Sequence, residues 1–171
     1  MSIGYLRITL LSRDNHTFNI VFASAMKRDY SIYPSMIDGE SGIVWFYNNR
    51  TKLSPINDTF PLEVSAQRCH GLAICVWYIS PLWQFNDPKK TKYALLGEWE
   101  KWTAVSRQRF LSIRTNTENT QTTIIVQGVA SEVVPVVVYH STLQSVTINC
   151  SITAENGRAS LVITPTTAIC S

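Results

Sequence analysis

Ser145-Val-Thr-Ile-Asn-Cys-Ser-Ile-Thr-Ala-Glu-Asn-Gly-Arg-Ala-Ser-Leu-Val-Ile-Thr164 alternates apolar and polar residues on both sides of Asn156-Gly157. Side chains of a strand point to opposite faces with period two. Val146, Ile148, Cys150 and Ile152 therefore share a face with Leu161 and Ile163, and Ser145, Thr147, Asn149 and Ser151 share the other with Ser160 and Thr164. One face is apolar and the other polar, as a strand covering a core requires. Asn-Gly suits a two-residue type I′ turn, in which both central residues need positive φ. Centring the turn there predicts an antiparallel hairpin, with Glu155 facing Arg158, Ile152 facing Leu161 and Cys150 facing Ile163. A slip of one residue would exchange the faces.

Working outward, the same punctuation recurs. Strands are expected near 3–11, 17–23, 42–47, 71–79, 92–97, 108–114, 121–129, 133–139, 143–153 and 158–165. Turn residues separate them, as at Asp38-Gly39, Asn48-Asn49 and Asn86-Asp87-Pro88. Leu72-Ala-Ile-Cys-Val-Trp-Tyr-Ile79 does not alternate, which predicts a central strand buried on both faces. Pro135 cannot donate to a ladder, so its strand is expected at an edge or starting after the proline. No segment holds a sustained 3.6-residue stripe. The fold class is all-β, an antiparallel β-sandwich.

Composition narrows the function classes. The 171 residues suit one domain. Charged residues are 16% and apolar residues 45%, which excludes disorder. The net charge of +3 comes without a Lys/Arg block, so no nucleic-acid partner is expected. No apolar run approaches the roughly 18 residues of a membrane span. The start, Met1-Ser-Ile-Gly-Tyr-Leu-Arg7, shows no signal-peptide pattern. Four sequons, at Asn15, Asn49, Asn57 and Asn149, favour an extracellular or lumenal location, against about two expected by chance.

The four cysteines leave their pairing open. Cys69 and Cys75 on one extended strand would stand about 20 Å apart, so they pair only if His70-Gly71 turns the chain. Cys150 and Cys170 can bridge neighbouring strands, and four buried thiols are the alternative. The scattered histidines His16, His70 and His140 fit no metal spacing, and no cofactor is expected.

Of the carboxylates, Glu98 and Glu100 lie close together among aromatics. A glycosidase pair works across a cleft of about 5–9.5 Å, which one short segment does not supply. No nucleophile elbow or phosphate-cradling glycine loop is present, so no catalytic residue is assigned. Trp77 is expected in the core. Trp83, Trp99 and Trp102 flank loops, where they serve as a sugar platform or, more in keeping with their apolar bulk, as a cap or an interface to another domain.

Residues 28–49 carry a resemblance. Arg28-Asp29 is followed by Asp38-Gly39-Glu-Ser41, then by a strand with aromatics ending at Asn49. This resembles the junction between catalytic barrel and C-terminal β domain in raffinose synthase and related α-galactosidase-like glycoside hydrolases. Ser80-Pro81, Tyr93 to Gly97, Ile125 to Gly128 and Gly157 to Leu161 are similar, in order, to later strands of that family. Asp-Pro is shifted to Tyr33-Pro34, and Glu98-Trp-Glu-Lys-Trp stands in place of a glycine-rich segment. The resemblance implies a junction over 1–37, left over from a barrel, and a sandwich over 38–171. A barrel needs about 250 residues. The chain would then be non-catalytic, and its partner an absent catalytic barrel of galactoside metabolism. The alternative is a secreted, glycosylated module, immunoglobulin-like or carbohydrate-binding.

Overall fold

The computed structural model describes residues 5–13, 16–37, 42–46, 49–70, 74–98, 101–153 and 155–171, with the backbone alone for 5–13, 44–46 and 49–52. The chain is all-β, built of antiparallel sheets. It divides into two compact units, Met1–Ser12 with His16–Leu82, and Arg13–Asn15 with Trp83–Ser171. The boundary expected at 37/38 falls within the first unit.

The first unit contains β1 (Tyr5–Arg13), β2 (His16–Ser24), β3 (Tyr30–Ile32), a 3₁₀ turn at Pro34–Met36, β4 (Gly42–Phe46), β5 (Asn49–Ile56), β6 (Leu62–Val64) and β7 (Ile74–Pro81). One sheet runs β1-β2-β7-β4-β5, and β3 pairs with β6 in a second. Across the first sheet Val21 faces Trp77, Ala23 faces Cys75 and Asn19 faces Ile79. Val21, Ala23, Cys75, Trp77 and Ile79 join Ile32, Leu62 and Val64 of the small sheet in one core, which also holds Cys69. β7 is central, as expected, and residues 75–80 are buried on both faces, but Ile74 at its start is 62% exposed, against the burial expected from Leu72 to Ile79. Its flanking residues 71–73 lie outside the described part.

The second unit contains β8 (Trp83–Gln84), β9 (Lys92–Glu98), β10 (Phe110–Thr115), β11 (Thr122–Gln127), β12 (Val133–His140), β13 (Gln144–Ser151), β14 (Arg158–Ile163) and β15 (Ala168–Cys170). Two four-stranded sheets, β13-β12-β9-β8 and β10-β11-β14-β15, face one another. Phe110, Ile124, Val126, Leu161 and Ile163 of one sheet and Leu95, Val134, Val136, Val138 and Cys150 of the other are all buried. Buried polar groups there are paired. The Tyr93 hydroxyl bonds Thr122, and the Tyr93 ring stacks on Phe85 at 4.1 Å. His140 Nδ1 accepts from the Thr142 and Leu143 N–H groups, which leaves the proton on Nε2 to donate to the Thr164 carbonyl at 2.9 Å.

The ten expected strands are present, joined by short β3, β6, β8 and β15 and by β5. The expected hairpin is not. β13 pairs with β12 and β14 pairs with β11, so the two strands lie in opposite sheets. Only Gly157 of the turn takes a positive φ, 64°. Asn156 instead accepts from the Arg158 N–H and the Thr153 hydroxyl through its own side chain, making a wider turn that crosses between sheets. The faces are as read: Ile148, Cys150, Ile152, Leu161 and Ile163 point inward.

Pro135 also departs from expectation, because β12 is a central strand beginning at Val133. The ladder to β9 starts only at Val136, so the proline has a neighbour on one side alone.

Candidate functional site

Three loops carry the chain of the second unit from one sheet to the other: β9 to β10, β11 to β12 and β13 to β14. They are tied together. Gly128 N–H donates to Gly157 O at 3.0 Å, Ile152 N–H to Glu132 O at 2.8 Å and Gln127 N–H to Arg109 O at 2.7 Å.

Two β-bulges flank this cluster, and the one in β9 aims Glu98 into it. In β9, Val138 faces Leu95 and Val137 faces Gly97, so Leu96 has no partner. The extra residue resets the alternation and puts Glu98, opposite Val136, on the inner face. Gly97 absorbs the distortion at φ 97°, where a Cβ would stand 2.2 Å from the Ala104 carbonyl oxygen. In β10 the register shifts between Phe110 and Ser112, and both Phe110 and Ile113 remain buried.

Arg109, one residue before β10, is the centre of the cluster. Its Nε and Nη2 donate to Glu98 at 3.0 and 3.3 Å, and its Nη1 and Nη2 to Glu132 at 3.0 and 2.7 Å. Nη1 also donates to the Gln127 carbonyl at 2.6 Å. All five guanidinium donors are thus used. Glu132 accepts from the Val129 N–H as well, and Lys101 stands 3.9 Å from Glu98. The Arg109 hydrogen bond, with that backbone bond, holds the Glu132 carboxyl below the usual carboxylate range. The bond to Glu132, with further help from Glu98, raises Arg109 against the opposing effect of burial. Gly128 leaves room for this network: a Cβ there would lie 2.4 Å from Glu132 Oε2 and 2.7 Å from Arg109 Nη1.

An open depression of about 820 Å³ lies over the cluster. Glu98, Arg109 and Glu132 form its floor, and Trp102, Lys101 and Gln108 stand around it. Trp102 is 56% exposed, high for so large an apolar ring. Two carboxylates, one guanidinium and one ammonium balance in charge. The chemistry offered is an aromatic face beside fixed polar groups, which suits an uncharged polar ligand.

The other expected residues fall elsewhere. Cys69–Cys75 and Cys150–Cys170 are both disulfides, with Cα separations of 5.7 and 5.2 Å. Both pairings that the sequence left open are formed, in place of the alternative of four buried thiols. Trp83 is half-buried against the Tyr93 ring at 5.3 Å. Trp99 lies outside the described residues, as do Asn15, Asp38, Gly39 and Ser41. The backbone of Asn49 is in β5 and its side chain is outside the described part. Asn57 is half-buried and its Oδ1 accepts from the Thr59 and Phe60 N–H groups. Asn149 is exposed on β13. Asp29 accepts from the Ala66 N–H at 2.7 Å, and Arg28 stacks over the Tyr30 ring.

Glu98 was legible only as one of a neighbouring pair with Glu100, which lies outside the described residues; Arg109 joins Glu98 to Glu132, 34 residues away in the chain. No group of metal-ligating side chains occurs among the described residues. Comparison with protein-family models, with curated proteins and with solved structures finds no match.

Proposed function

We propose that the chain is an extracellular, disulfide-bridged β-sandwich module that binds an uncharged carbohydrate at the Trp102 depression of its second unit. The observation that carries the compartment is the pairing of all four cysteines, one disulfide in each unit. Disulfides persist in oxidising compartments and are rare in the cytosol. The exposed Trp102 ring supports the ligand class, since its face can cover the C–H side of a sugar while Gln108 and the carboxylates meet hydroxyls. Peptide mapping without reduction is expected to recover both disulfides. Glycan-array binding is expected and is lost in Trp102→Ala; four free thiols, or binding unchanged in that variant, would sink the reading.

A second reading follows the resemblance of residues 28–49: a non-catalytic C-terminal sandwich supporting a raffinose synthase-like barrel. The all-β architecture agrees with it, as with any sandwich module. Arg28 and Asp29 are engaged locally, in a ring contact and a turn cap. Upstream coding sequence for a barrel with paired aspartates is the observation that would favour it.

A further inference from the structure

Edge strands expose unpaired backbone N–H and C=O groups, and natural sheets blunt them with short length, charge, proline or a bulge. Three of the four edges in the second unit have such protection. β8 has two residues, β15 has three, and β10 carries a bulge and the exposed Arg114. β13 has none of these. It runs eight residues without a charge or a proline, and it pairs with β12 without a bulge at every position.

The direction of its free groups follows from the ladder. Ile152 N–H donates toward the β12 side, to Glu132 O. Hydrogen-bonded and non-hydrogen-bonded positions alternate in an antiparallel pair. The backbone groups of Ser151, Asn149, Thr147 and Ser145 therefore face the open edge. Pro135 opposite Asn149 fits this phase, because that position asks no donor of β12. The side chains of the same four residues are exposed. Among them are both recognition residues of the sequon Asn149-Cys150-Ser151, while Cys150 is held inside by Cys170.

We propose that Asn149 carries an N-linked glycan that occludes the β13 edge, and that the chain without it dimerises by pairing β13 with β13 of a second copy. The proposal rests on the extracellular reading. Two copies of one edge meeting antiparallel form a closed, two-fold contact.

The test is secretion of the full chain from a eukaryotic host, with glycopeptide mass spectrometry and light scattering over a concentration series. The wild type is expected to be occupied at Asn149 and monomeric. Asn149→Gln and Ser151→Ala each remove the sequon, and both are expected to double in mass as concentration rises. Adding Thr147→Lys to Ser151→Ala is expected to restore the monomer by placing a charge on the edge. An unoccupied Asn149 in protein with both disulfides formed, or monomeric sequon variants, overturns the glycan's role and leaves the extracellular reading standing. Free Cys150 and Cys170 thiols overturn that reading and this inference with it.

Discussion

Arg109 shows how much one side chain can organise. It satisfies Glu98, which is buried, and closes a loop on Glu132 and Gln127. Removing one partner of a buried ion pair leaves a charge uncompensated, at a cost of about 3–5 kcal/mol. Arg109→Met is expected to lose a stability in that range by urea denaturation. Arg109→Lys is expected to recover only part of it, because an ammonium cannot reproduce the planar fork. Gly97→Ala places a methyl group against the Ala104 carbonyl and in an unfavourable φ region, and is expected to cost about 2 kcal/mol or more in the same assay. None of this was legible beforehand. Glu98 and Arg109 are 11 residues apart, Arg109 and Glu132 are 23 apart, and no local pattern announces a pair that only the loop crossings bring together.

Strands were the most legible level, because period-two alternation and turn residues are local signals. Alternation states which face a residue takes and is silent about which strand lies beside it. Ile152 and Leu161 do share the core, from opposite sheets rather than side by side. The Asn156-Gly157 signal failed because Asn156 uses its side chain to make a wider turn. The short strands β3, β6, β8 and β15 hold two or three residues each, too few to show a period. At this scale acid is informative. Glu132 is held below the carboxylate range by Arg109 and Val129. Asp87, despite an opposing desolvation effect, is lowered by hydrogen bonds from Thr91 and Lys89. A carboxyl with a depressed folded value contributes stability that is present above the unfolded value, near 4, and lost as pH falls through the folded value. Unfolding free energy measured against pH is therefore expected to drop below about pH 4, and Glu132→Gln to flatten part of that drop.

At the scale of the molecule, each unit has its own core and its own disulfide. The bond Cys150–Cys170 closes 20 residues and joins the edge strands β13 and β15 of opposite sheets, whereas Cys69–Cys75 closes six. Loop-closure entropy predicts a loss of about 3 kcal/mol for the paired serine replacements at the first and about 2 kcal/mol at the second. Thermal unfolding of the two double variants checks the order. The second unit holds a complete eight-stranded sandwich, so residues 83–171 expressed alone are expected to unfold cooperatively with Cys150 and Cys170 paired.

The bulge at Leu96 makes β9 sensitive to counting as well as to chemistry. Deleting Leu96 would remove the extra residue and leave Leu95, Gly97 and Glu98 opposite Val138, Val137 and Val136 in an unbroken ladder, with Glu98 still on the inner face. Inserting one residue between Gly97 and Glu98 would instead turn Glu98 outward, stripping Arg109 of one of its two carboxylates. At this point in the chain the number of residues is itself a structural instruction.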